Sequence, residues 1–231
     1  MIKKTFLDFF TYFKNPDPFI REDKSSLFYN QLFPLVLISL IFAFLSLSFI
    51  HLLETYHLIK PLPEFKLFDI KERKAVLFLT IIIIAPLLEE LIFRYQLKNW
   101  YVSFLGWAVL ISYLFYDFFY PQAYIAFAIL ITICSIPFYF KTRKIIRFRF
   151  IKSVFKYHFY LTAMVFGLVH VTNYNQPFQY GLSVVLLVLP QLFMGFILGY
   201  VRMRFGLKNS MLFHATYNFI PALSLLAGYG N

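Results

Sequence analysis

Acidic residues are scarce in this chain, and beyond Asp117 there are none at all. Eleven Asp and Glu stand against 22 Lys and Arg, a formal charge of +11, yet only 14% of residues are charged. A soluble domain carries about 25% charged and 45–50% apolar residues, whereas 60% are hydrophobic here. That excludes an ordinary water-soluble domain. The single cysteine, Cys134, sits in an apolar run, which excludes a disulfide framework and a cysteine-based zinc cluster. No HExxH stretch occurs, so a zincin site is absent. What is abundant is aromatic: 32 Phe and 17 Tyr, a composition incompatible with disorder or collagen-like repeats. The composition therefore predicts an all-α, polytopic membrane protein.

The opening Met1-Ile2-Lys3-Lys4 is followed by Asp8, Pro16, Asp17 and Pro18 before any long apolar run, which does not fit a cleavable signal peptide. Phe6, Phe9, Phe10 and Phe13 recur at helical spacing and suit either a short helix on the membrane surface or aromatic packing against the bundle. Residues 1–31 read as a cytoplasmic tail and 32–231 as the transmembrane bundle. Crossing the hydrocarbon core takes about 20 apolar residues, and seven stretches qualify or nearly qualify: 32–53, 75–91, 104–119, 123–140, 159–171, 182–201 and 211–227. An eighth, re-entrant or interfacial piece near 54–74 would accommodate the basic residues that a seven-span count leaves outside.

Basic residues crowd into the N-terminal tail, 94–103, 141–156 and 202–208, while 117–122 and 172–179 have none. The positive-inside bias places the first set and the N-terminus in the cytoplasm and the C-terminus outside, in a multi-pass protein of the cell membrane. Most of the positive charge then faces anionic lipid headgroups. No folded soluble module surrounds the 141–156 cluster, so nucleic acid is not an expected partner.

Ionisable groups in apolar surroundings are costly and usually face a bundle interior or a wet cavity. Glu89, Glu90 and Arg94 at the end of the second span, His170 in the fifth, and His214 in the seventh, with Asn218 beside it, imply a polar chamber. Glu90 and Arg94 are i,i+4 and suit a charge-assisted pair. Glu89 projects about 100° away from Glu90 and is free to point elsewhere. His214 and Asn218 are also i,i+4, Phe166 lies one turn before His170, and Gly195 and Gly199 form a small-xxx-small pair that lets helices approach closely. One carboxylate, two imidazoles and a carboxamide suit amide hydrolysis. Glu89 would act as general base on a water polarised by His170, with His214 and Asn218 donating to the developing oxyanion. An ion or solute path, or a set of polar packing pairs, uses the same residues. So does a zinc site of Glu89, His170 and His214 with an open position.

Three stretches, Glu89-Glu90-Leu-Ile-Phe-Arg94, Phe166-Gly-Leu-Val-His170 and His214-Ala-Thr-Tyr-Asn218, resemble the three ordered motifs of the CPBP family. These are bacterial CAAX-protease and bacteriocin-processing (Abi-like) membrane proteins, which include prenyl-protein endopeptidases that trim CaaX termini. The likeness covers about residues 85–220, with Gly195, Gly199 and Ser210 fitting before the last motif. It implies an intramembrane endopeptidase with lipids and a peptide or lipidated-protein substrate as partners. Glu89 and His170 would activate water, His214 and Asn218 would form the oxyanion hole, and Glu90 and Arg94 would support them. Both zinc-dependent and metal-free descriptions exist for the family, and the donor character of His214 and Asn218 favours a reaction with no cofactor. Two features depart from the pattern. Tyr95 stands where the family usually has Gly, and Glu89 and His170 are 81 positions apart, with two spans between them. Depth is a further difficulty. His170 lies about 20 Å beyond Lys156 at 1.5 Å per residue, while Glu89 sits only one or two turns inside Arg94.

Overall fold

The computed structural model describes residues 1–23, 25–63, 74–100, 102–103, 126, 129–130, 133–134, 137 and 140–228. Every regular element among the described residues is helical. The main helices are α1 (Ile2–Lys14), α2 (Ser25–Thr55), α3 (Lys74–Leu79), α4 (Ala85–Phe93), α5 (Lys144–Val169), α6 (Val184–Leu187), α7 (Leu189–Phe205) and α8 (Leu207–Gly228). Among the described residues, three stretches are long and apolar enough to cross a membrane: Ser26–Thr55, Ala75–Leu97 and Lys144–Asn173. The expected spans 104–119 and 123–140, and residues 64–73 of the 54–74 connection, lie outside the described residues or at scattered positions.

Helix α7 is the centre of the bundle. Its Met194, Ile197, Leu198, Tyr200, Val201 and Met203 are all buried and pack with Phe155, Phe159 and Phe166 of α5 and Phe213 of α8. Two glycines set how closely α7 meets α5. A Cβ at position 195 would lie 2.6 Å from the Ala163 carbonyl oxygen, and one at 199 would lie 2.6 Å from the Phe159 ring. Gly195 thus lets backbone approach backbone and Gly199 makes room for a ring, the way small residues bring membrane helices into van der Waals contact. Between α7 and α8 the chain turns at Gly206 with φ +91°, a conformation that disfavours side chains. Outward-facing Ile41, Phe44, Leu45 and Phe49 of α2 and Ile145 and Ile146 of α5 are exposed, as a lipid-facing surface requires.

Helix α1 divides its aromatics. Phe9 and Tyr12 are buried against Phe159, Phe193 and Tyr200, while Phe6 and Phe10 face outward. Tyr160 also donates to the Phe13 carbonyl at 2.6 Å. The N-terminal segment is therefore packed into the same core as α7. Glu22 extends that contact, reaching Lys98 at 2.8 Å and Arg202 at 3.5 Å.

Three boundaries differ from the sequence expectation. The fifth span does not begin near residue 159: α5 starts at Lys144, so most of the basic 141–156 segment is helix rather than loop. Long basic side chains carry their charges away from the helix axis, so a basic turn can extend an apolar helix without a break. The sixth span is interrupted. A 3₁₀ segment, Pro177–Ser183, runs into α6, which ends at Leu187, and α7 restarts after Val188 with Pro190 in its first turn, where a missing N–H costs nothing. Residues 94–103 are not an exposed loop either. Arg94, Gln96, Leu97 and Ser103 are all buried, in a 3₁₀ turn and a following segment that run back along α5.

That last correction removes the depth difficulty. The α4 end and α5 run antiparallel: the Trp100 and His158 rings are 5.1 Å apart, Arg94 lies 4.0 Å from the Phe166 ring, and Glu89 reaches His170 at 3.9 Å. Arg94 is inside the bundle, so Glu89 is deeper than a surface arginine would allow.

Candidate active site

Glu89 is carried by α4, which follows a π-helical stretch, Thr80–Ile84, in the same continuous helix. Such wide turns shift the register of everything after them and often mark functional positions. Here the two adjacent carboxylates point in different directions. Glu90 is fully buried and Glu89 is partly open, its side chain 26% exposed.

Glu90 lies in a closed polar cage. Arg94 Nε is 3.6 Å from its Oε1, His214 Nδ1 is 3.2 Å from the same oxygen, and Ser210 Oγ bonds Oε2. Ser210 Oγ also lies 3.1 Å from the Leu198 carbonyl oxygen, which ties α8 to α7. Arg94 donates from Nη2 to the Gly195 carbonyl at 3.3 Å and stacks on Phe166, and its own carbonyl accepts from Arg202 Nε at 3.1 Å. Low dielectric strengthens these contacts and makes an unmatched member expensive.

Glu89 is different. Its Oε2 is buried yet makes no direct hydrogen bond among the described residues, while two imidazole nitrogens face it, His170 Nε2 at 3.9 Å and His214 Nε2 at 3.7 Å. The first ring is oriented through its other nitrogen. His170 Nδ1 lies 2.8 Å from the Phe166 carbonyl, which only accepts, so Nδ1 carries the hydrogen and Nε2 of the neutral ring is an acceptor. Phe166 stands between the two imidazoles, edge-on to both, at 4.9 and 5.8 Å. His214 in turn spans the two carboxylates, with Nδ1 on Glu90 and Nε2 toward Glu89.

The structure thus brings Glu89, His170 and His214 together and places Glu90 and Arg94 directly behind them. Asn218, one turn beyond His214, donates its amide to the Ile81 carbonyl at 3.0 Å, so at least one of its N–H groups serves the π-helical turn. Sequence reasoning noted Ser210 only as a fitting position and missed its bond to Glu90. Its spacing one turn before His214 was the available signal. Arg202 went unremarked except as a loop charge.

Tetrahedral zinc with ligands at about 2.0–2.1 Å sets them about 3.3–3.4 Å apart. The two Nε2–Oε2 separations are wider than that, and no group of three His, Cys, Asp or Glu side chains among the described residues has metal-site geometry. The outer contacts, Nδ1 to a carbonyl and Nδ1 to a carboxylate, are nevertheless of the kind that orient metal-bound histidines.

A family model described as Type II CAAX prenyl endopeptidase Rce1-like matches residues 142–220. That interval contains α5, α7 and the His214–Asn218 turn of α8, and it stops short of Glu89 on the N-terminal side. No curated protein and no solved structure matches the chain. The chain therefore carries an Rce1-like CAAX-protease signature over part of its length, on a helical bundle with helices long and apolar enough to cross a membrane.

Proposed function

We propose that this protein is an intramembrane endopeptidase that hydrolyses peptide bonds of membrane-associated or CaaX-like substrates with a water activated by Glu89. The observation that carries the reading is the pair of acceptors, Glu89 Oε2 and His170 Nε2, 3.9 Å apart and fixed from behind. A gap of that size between two acceptors suits one bridging water, which donates a hydrogen to each and turns a lone pair outward. Glu89 takes the proton as the oxygen attacks the carbonyl carbon. The C–N bond then breaks, and Glu89 returns the proton to the departing amine.

The oxyanion formed in between needs donors. His214 Nδ1 faces the acceptor Glu90, so the ring offers Nε2–H to the oxyanion when it holds both protons, a cation set between two carboxylates. The second N–H of Asn218 is the other donor. The cage of Glu90, Arg94 and Ser210 holds His214 in place. In this reading the N-terminus is cytoplasmic and the C-terminus lies across the membrane, as the basic segments favour.

Reconstituted protein incubated with apolar and C-terminal CaaX-like peptides should produce new peptide ends, and Glu89→Ala or His170→Ala should stop it. Glu89-dependent solute flux without cleavage would make the protein a transporter. No cleavage and no flux, with every substitution acting through stability alone, would make the chamber a packing device of an accessory or immunity protein. A zinc-dependent form of the same hydrolysis is the second reading, favoured by the Nδ1 contacts of both histidines.

A further inference from the structure

Asn218 and Pro86 are 132 positions apart in sequence (218 − 86), yet one backbone carbonyl joins their roles. In the π-helical stretch the Ala85 N–H bonds the Thr80 carbonyl, five residues back. The next donor in that register is residue 86, which would serve the Ile81 carbonyl. Residue 86 is proline and has no N–H. The Ile81 carbonyl instead accepts from Asn218 Nδ2 at 3.0 Å. Inside a membrane an unpaired carbonyl is costly because no water can serve it. The wide turn, the proline and the asparagine therefore fit one another: the first two create an open acceptor, and the third closes it.

From this we infer that Pro86 is a positioning residue. By withholding a backbone donor it compels Asn218 to bind Ile81, and that bond fixes the asparagine amide in one orientation. An amide nitrogen carries two hydrogens. One is held by Ile81, and the other is the donor that the oxyanion role requires, so the inference rests on the proposed hydrolysis for its catalytic part. Its structural part stands independently. The same bond docks α8 onto the helix that carries Glu89, setting the carboxamide and the carboxylate on one rigid frame.

A double-mutant cycle on the purified full chain tests the bond without any substrate. Asn218→Ala should lower the unfolding midpoint by about 2–4 °C, the shift a chain of this size shows for one lost interaction of ordinary strength. Beside Pro86→Ala the same change should cost less than half as much, because the N–H of residue 86 then serves Ile81. Equal losses in the two backgrounds would overturn the inference. Asn218→Leu, nearly isosteric and without a donor, should behave like Asn218→Ala. A single variant too unstable to purify must be rescued by Pro86→Ala, and failure of that rescue is also a refutation.

Cleavage supplies the second readout. Pro86→Ala alone should lower kcat about 10-fold or more, up to the 10²–10³ of a lost oxyanion donor, with KM unchanged. Stability coupling with an unaltered kcat would overturn the catalytic part and leave a structural staple. Wild-type protein that cleaves nothing would refute the proposed function instead, while the stability cycle would still decide the bond.

Discussion

Replacing Glu90 with alanine should damage the fold far more than replacing its neighbour Glu89. Glu90 is fully buried, and Arg94 beside it is only 1% exposed. Without the carboxylate, Arg94 keeps the Gly195 carbonyl and the face of Phe166, while its Nε and Nη1 have no hydrogen-bond partner among the described residues even in the intact protein. His214 Nδ1 loses its acceptor at the same time, and Ser210 is left with the Leu198 carbonyl alone. Breaking one side of a buried ion pair costs about 3–5 kcal/mol. At about 2–4 °C per kcal/mol for a chain of this length, the midpoint should fall by about 6–20 °C. Glu89 is partly open and its Oε2 makes no direct hydrogen bond among the described residues, so Glu89→Ala should move the midpoint by no more than about 2–4 °C while ending cleavage. Thermal unfolding in detergent, followed by intrinsic fluorescence for each variant, measures both. Equal losses for the two carboxylates would refute the division between a structural and a reactive glutamate. A stable, inactive Glu90→Ala beside an active Glu89→Ala would reverse it.

The approach of α7 to α5 makes a second prediction. Gly195→Val should prevent stable folding, since even a Cβ would stand 2.6 Å from the Ala163 carbonyl oxygen, whereas Ala163→Gly should be tolerated; expression and gel-filtration profiles report both. Orientation is checked by cysteine labelling in intact cells. Single cysteines placed at the start of α5, near Lys144, should react only after the membrane is permeabilised, and labelling from outside would invert the proposed topology.

Much of the site is written in local spacing, and local spacing is what a sequence reports directly. The i,i+4 relation of Glu90 and Arg94 became an ion pair, and the 100° offset of Glu89 became a carboxylate facing elsewhere. The glycine pair became a close helix contact for the same reason. The contacts that escaped are those between distant segments. Nothing near Glu90 points to Ser210, 120 positions away, and nothing near Pro86 points to Asn218. Hydropathy also misplaced boundaries wherever charge and helix coincide. By hydropathy the basic start of α5 reads as a loop and Arg94 as a membrane-surface residue, yet the first is helix and the second is buried. In both cases a polar residue does not mean water, because its partners lie in another helix or its long stem reaches past the apolar face.

The central claim is that Glu89 and His170 share the attacking water with no metal between them. Stripping the purified, active protein by exhaustive chelation, with its metal content measured alongside its cleavage rate, tests this most directly. Full cleavage should persist at metal levels far below one per chain and still be abolished by Glu89→Ala. Stoichiometric zinc, whose removal stops cleavage and whose return restores it, would contradict the account and make Glu89, His170 and His214 the ligand set.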